Sequence, residues 1–91
     1  MAQIRVERTH DKPLRTARAA VERVAKQMAE RFDVDYEWDG STLHFRRSGV
    51  DGRIELGRNK VVVVARLGLL LSALRGSVEN AIHEYIDREF G

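Results

Sequence analysis

The sequence predicts an α+β domain of element order β-α-β-β-β-β-α, in which two helices pack on one face of a five-stranded antiparallel sheet. Three observations predict this fold class. Four consecutive valines at positions 61–64 put β-branched side chains on both faces of a strand, which favours a central strand paired on both edges. Short alternating segments separated by Asp-Gly turns predict hairpins before it. Two segments with helical spacing supply the cover for the sheet.

The first part of the chain predicts a strand followed by a long helix. Apolar and polar residues alternate over residues 3–9, which is the period of a half-buried strand. Apolar residues then recur every three or four positions, and this spacing predicts a helix over residues 13–32. Asp11 or Lys12 is expected at its N-cap, with Pro13 in the first turn, where the missing N–H costs nothing.

The middle of the chain predicts an antiparallel meander. Strands are expected over residues 34–38 and 42–46, joined by an Asp-Gly-Ser turn. A second turn is expected over residues 48–52, followed by a short strand at residues 54–56 and the valine strand to Leu67. The first strand should pair beside the valine strand, which would then have a neighbour on each edge. The arrangement resembles a minimal helix-grip fold, by analogy of fold alone.

The segment after the valine strand is apolar and bounded by glycines. It contains the leucines Leu69, Leu70, Leu71 and Leu74. The favoured interpretation is a packed connection that closes one end of the core, since leucine is usually buried. The alternative is a partly exposed contact for a hydrophobic surface or ligand. Ser77 is expected to cap a final helix.

Composition is that of one ordinary globular domain spanning residues 1–91. The chain is 43% hydrophobic and 33% charged, with a net charge of +2. Its arginines alternate with acidic residues and form no basic block, which does not favour nucleic-acid binding. It has no cysteine, and no apolar run approaches the ~20 residues needed to span a bilayer. With no secretory signal in the first residues, a cytoplasmic location is expected.

No residue pattern supports catalysis, a metal site or a cofactor site. Three of the four serines occupy turn or cap positions, and the three histidines are isolated from one another. His83 and Asp87 stand four apart on the last helix, a spacing more typical of a surface contact than of a catalytic pair. We therefore expect a protein that is not an enzyme.

The sheet face opposite the helices carries Val62 and Val64 within a field of mixed charge. By strand alternation Arg46 and Arg66 lie on this face as well. A solvated face is the favoured interpretation, because scattered surface valines are normal. The alternative is a homodimer formed sheet to sheet, in which arginine–carboxylate pairs set the register.

Several motifs resemble the polyhydroxyalkanoic acid system protein family. The most specific is Arg-Ser-Gly-Val-Asp-Gly at residues 47–52, and the others lie at residues 36–40, 43–45, 67–79 and 87–91. The resemblance covers nearly the whole chain. It implies an association with the storage of polyhydroxyalkanoate, a hydrophobic polyester held in cytoplasmic granules, and it carries over no catalytic residue. Among the matching positions, Gly40, Gly49, Gly52 and Gly76 are expected to serve turns and a helix entry.

Three functions are weighed on this basis. The first is a non-enzymatic accessory protein that binds the granule surface or granule proteins through Leu69, Leu70, Leu71 and Leu74. The second is a small module that holds an acyl or lipid-like ligand between the sheet and the last helix. The third is nucleic-acid binding by the arginine-bearing sheet face.

Overall fold

The computed structural model describes residues 2–91 and contains five strands and two α-helices in the predicted order. The strands are β1 (Ala2–Thr9), β2 (Asp35–Asp39), β3 (Thr42–Arg47), β4 (Val50–Leu56) and β5 (Lys60–Leu67). The helices are α1 (Leu14–Phe32) and α2 (Arg75–Phe90), and a 3-10 helix, Leu69–Leu74, precedes α2. The predicted α+β class is confirmed. None of the helices in the described part is long and apolar enough to cross a membrane.

The sheet is antiparallel throughout, with strand order β1-β5-β4-β3-β2. The valine strand β5 pairs with β1 on one edge and β4 on the other, as its composition predicts. Val63 lies opposite Val6 of β1 and Ile54 of β4, and all three point toward the helices. This row of buried β-branched residues forms the floor of the core.

Both helices pack on the same face of the sheet, as predicted. The core contains the inward residues of all strands except β2, whose Tyr36 and Trp38 are half-buried at its margin. The helices contribute Ala17, Val21, Val24, Ala25, Met28, Ala81, Ile82, Tyr85 and Ile86. The predicted stripe of α1 is exposed at its start, where Leu14 is 52% exposed.

The starts of both helices differ from the prediction. Pro13, with ψ of 149°, is the N-cap of α1 rather than part of its first turn, and no side chain caps this end. The carbonyl of Pro13 accepts the first helical bond, from Ala17 N–H at 2.8 Å. Helix α2 begins at Arg75, two positions before Ser77, because the 3-10 helix runs directly into it. Ser77 is therefore not a cap.

The predicted turn over residues 48–52 is shorter than expected, and the fourth strand is correspondingly longer. Only Ser48 and Gly49 form the turn, where Gly49 adopts a φ of 85° that favours glycine. Gly52 lies inside β4, opposite Phe45. A Cβ at Gly52 would come within 2.6 Å of Phe45 Cε2 and of the backbone oxygen of Val64. Gly52 is therefore needed for close packing of the phenylalanine ring and not for a turn.

Candidate hydrophobic contact site

The leucine segment, Leu69–Leu74, lies at one end of the molecule and is largely exposed. Leu69 is 80% exposed, Leu70 95% and Leu74 51%, while Leu71 is half-buried. The favoured interpretation of this segment as a closed plug is wrong for Leu69, Leu70 and Leu74. Large apolar side chains in this state are the kind of surface that marks an interaction site.

The 3-10 geometry explains why these leucines are exposed. A 3-10 helix has three residues per turn, so residues three apart share a face. Leu71 and Leu74 share the face turned toward the sheet, and both line the cleft described below. Leu69 and Leu70 lie on the other two faces of the 3-10 helix, and no helix or strand covers those faces. An apolar segment of this shape buries only one of its three faces.

Backbone hydrogen bonds hold the segment against the turn between β3 and β4. Gly68 N–H donates to Gly49 O at 2.8 Å, and Leu71 N–H donates to Gly68 O at 3.0 Å. The Ser72 hydroxyl donates to Leu69 O at 2.8 Å. The exposed leucines therefore lie on an ordered turn, so that little backbone conformational entropy is lost when they bind.

An apolar cleft opens beside the segment, between the end of the sheet and the end of α1. Its volume is about 80 Å³. Its walls are Met28, Phe32, Val34, Phe45, Val50, Ala65, Leu67, Leu71, Leu74 and Val78, with Arg47 at the margin. Pockets that enclose drug-sized ligands are roughly 300–1,000 Å³. The cleft accepts the end of one small apolar group, and it is too small to enclose an acyl chain as the second function requires.

Two arginines flank the leucine segment, and both are tied to backbone oxygens. Arg47 Nη1 donates to Phe32 O at 2.9 Å, which braces the end of α1 against β3. Arg75 Nε donates to Gln3 O at 3.1 Å on the outer edge of β1. The Arg47 bond holds the rim of the cleft, and the Arg75 bond connects the start of α2 to β1. Sequence reasoning did not identify either arginine, because nothing local to them reports contacts with distant parts of the chain.

A second cluster of polar and aromatic side chains connects the β2–β3 hairpin to α1. The Trp38 indole donates from Nε1 to Glu22 Oε1 at 2.6 Å, and the Arg18 guanidinium lies 3.8 Å from the centre of the Trp38 ring. Arg18 Nη1 also donates to Gly40 O at 2.9 Å. The hydrogen bond from Trp38, and to a smaller extent the one from Tyr36, lowers the pKa of Glu22. The bond to Glu22 raises the pKa of Tyr36. The cluster positions the hairpin and contains no arrangement suited to catalysis.

The histidines do not come together. His10 is buried, with Nε2 3.2 Å from Gly57 O and Nδ1 accepting from Lys12 N–H at 3.2 Å. His83 and Asp87 do not form the surface contact that their spacing suggested, since His83 Nε2 lies 3.9 Å from Glu79 and Asp87 pairs with Arg8. Within residues 2–91, no three His, Asp or Glu side chains are placed to share a metal ion.

The predicted dimer face lies on the open side of the sheet. Val62 and Val64 are on this face, yet they are only 8% and 7% exposed. Their neighbours across the strands are long charged residues, Glu7 and Glu55 beside Val62, and Arg5 and Arg53 beside Val64. The stems of these side chains shield the valines. Arg46 and Arg66 are exposed on the same face, each opposite Asp51.

Comparison with known proteins gives one family and one structural likeness. The crystal structure of TTHA0849 from Thermus thermophilus aligns over 94% of this chain and 90% of that one, at 12% identity and a TM-score of 0.44. A search of curated proteins found no match. The family model described as "putative polyhydroxyalkanoic acid system protein" matches residues 4–90. The chain therefore belongs to the polyhydroxyalkanoic acid system protein family.

Proposed function

We propose that this chain is a non-enzymatic accessory protein of polyhydroxyalkanoate storage that binds the surface of the polyester granule through its leucine segment. The observation that carries the proposal is the exposure of Leu69 and Leu70, at 80% and 95%. Family membership supplies the storage polymer as context. The expected location is cytoplasmic, at the granule.

The energy available from the leucine segment limits the contact to weak, reversible binding. Fully burying one leucine is worth about 1.5–3 kcal/mol. Leu69 and Leu70 are almost wholly available and Leu74 half available, so complete insertion is worth about 3–7 kcal/mol before the cost of association, which is at least about 4 kcal/mol. A polymer surface offers many overlapping contact positions, which allows such a contact to hold the protein in place.

The rest of the surface supports contact by this end of the molecule. The outer helix faces and the open sheet face carry opposite charges in alternation, including Arg23 with Glu89, Arg88 with Glu84 and Arg5 with Glu7. Insertion of such surfaces into an apolar polymer is unfavourable, because desolvating charges without compensating partners is costly. The leucine end therefore inserts and the charged surfaces stay outside the polymer. Because burial of leucine involves no charge pairing, binding should change little with salt.

Co-sedimentation with protein-free polyhydroxybutyrate particles tests the proposal, with a known granule-surface protein as the positive control. We expect this chain to sediment with the particles at both low and high salt. Failure to sediment at a concentration at which the control does would overturn the proposal. Sedimentation with native granules but not with bare particles would also refute surface binding and would assign the contact to a granule protein.

A further inference from the structure

The charges on the open sheet face are arranged in rows that cross the strands. Strand pairing places one row of Arg5, Val64, Arg53 and His44 side by side, and we call it the basic row. The next row along the strands contains Glu7, Val62, Glu55 and Thr42, and we call it the acidic row. On the edge strand β2, Glu37 lies beside His44 at the end of the basic row, and Asp39 lies beside Thr42 at the end of the acidic row. Each row has a valine from β5 near its centre. The face thus has two adjacent bands of opposite charge with an apolar spot between them.

We propose that this face binds a second copy of the chain, with a two-fold axis that runs across the strands between the basic and acidic rows. This homodimer goes beyond the proposed granule binding and does not depend on it. A two-fold interface brings the same patch of both copies together, so the patch must be complementary to itself. The two rows meet this requirement, because the axis places the basic row of each copy over the acidic row of the other.

In this arrangement each strand faces its own counterpart. Arg53 lies opposite Glu55 of the second copy, and Glu55 lies opposite its Arg53. On β1, Arg5 and Glu7 exchange in the same way. The valines of β5 also meet, with Val64 over Val62 of the second copy. On the edge strand β2, Glu37 faces Asp39 of the second copy, and solvent at this rim screens the repulsion. Within one copy Arg5 already contacts Glu7 at 2.9 Å, and Arg53 contacts Glu55, so association extends two existing ion pairs into networks of four charges.

Charge disfavours an axis parallel to the strands, because every such axis stacks each row on the same row of the second copy. If the axis passes through β4, this strand lies over its own counterpart. Arg53 would then face Arg53, Glu55 would face Glu55 and Asp51 would face Asp51. Juxtaposed like charges cost several kcal/mol when they are desolvated. Only the axis across the strands brings opposite charges together at the centre of the face.

The dimer should be weak and sensitive to salt. Val62 and Val64 are already shielded in one copy, so they add little apolar area. Five strands spaced about 4.8 Å apart give a flat contact of on the order of 500 Å² per copy, at the low end of specific interfaces. Arg66 would face Lys60 of the second copy at the solvated rim, where screening reduces the repulsion. Arg46 and Arg66 thus lie outside the centre of the interface.

Reversal of complementary charges tests the register. Sedimentation velocity over a range of protein concentrations should detect a dimer in the wild-type chain at low salt and weaker association at high salt. Glu55→Arg alone and Arg53→Glu alone each place like charges opposite one another. Each should raise the dissociation constant roughly tenfold or more.

An equimolar mixture of the two variants supplies the decisive observation. In the mixed dimer both contacts become opposite in charge again, so association should return to near the wild-type level. Glu84→Arg is the control for Glu55→Arg, because it makes the same change in net charge on the exposed side of α2, away from the sheet face. It should leave the dimer intact. Thermal unfolding of each variant checks that it is folded. A monomeric wild type, unaffected single variants or a mixture that stays monomeric would each overturn the proposal.

Discussion

Replacement of Leu69 and Leu70 by serine is the sharpest test of the leucine segment. The two side chains are 80% and 95% exposed, so their loss removes almost no packing within the folded chain. We expect the free energy of unfolding to change by less than about 0.5 kcal/mol, as is usual for surface substitutions. Binding to polymer should lose the transfer energy of both side chains, about 3–5 kcal/mol if they insert completely. That loss corresponds to a reduction in affinity of roughly a hundredfold or more.

The assay is a binding isotherm on polyhydroxybutyrate particles, with the bound fraction measured after sedimentation. Leu14→Ser is the control for an exposed leucine elsewhere on the surface, because Leu14 is 52% exposed at the opposite end of the molecule. The control should bind as the wild type does. Equal weakening by Leu14→Ser would indicate nonspecific adsorption. An unchanged isotherm for the double variant would refute the assignment of the contact to the leucine segment.

Four further outcomes follow from the structure. Gly52→Ala should lower the free energy of unfolding by about 3 kcal/mol, because the added methyl group would overlap the Phe45 ring and a backbone oxygen. Gly76→Ala should instead stabilise α2 by about 0.5–1 kcal/mol, because a Cβ at this position meets nothing within 4 Å. Both are measured by denaturant unfolding. Glu22→Ala should cost about 1 kcal/mol through loss of the bond from the β2 tryptophan, with a lower melting temperature as the readout. In pH-dependent unfolding of the wild type, Glu22 contributes stability that is present above its ordinary pKa of 4.5 and is lost as pH falls through its lowered folded pKa. Tyr36 contributes stability that is present below its ordinary pKa of 10.0 and is lost as pH rises through its raised folded pKa. The Glu22→Ala variant should have a shallower pH profile at both ends, with the acid dependence that comes from the lowered pKa of Glu7 retained, and an unchanged profile would contradict this assignment. If both proposals hold, the two-fold axis directs the two leucine segments of the dimer in opposite directions. The wild type should then cluster polymer particles, as measured by light scattering. The charge-reversal variants should bind particles without clustering them.

The sequence by itself determined the elements and their order. Side-chain direction repeats every two residues in a strand and every 3.6 in a helix, so an alternating or helical spacing reports which face is apolar without knowledge of the neighbours. The run of valines at 61–64 therefore predicted a strand paired on both edges, and the spacing over residues 13–32 predicted the long helix. The family resemblance could be read in the same way, because its motifs are contiguous.

Tertiary structure decided what each residue touches. The leucines of residues 69–74 look like core in sequence, and only the absence of a covering element over two faces of the 3-10 helix leaves Leu69 and Leu70 exposed. Asp51-Gly52 looks like a turn, yet Gly52 lies in β4 and pairs with Phe45. Glycine is needed there because the ring of Phe45 occupies the space that a side chain would fill. Local periodicity fixes the direction of a side chain along its own element. Burial depends on which distant segment arrives above it, and that is set by the packing of the whole chain.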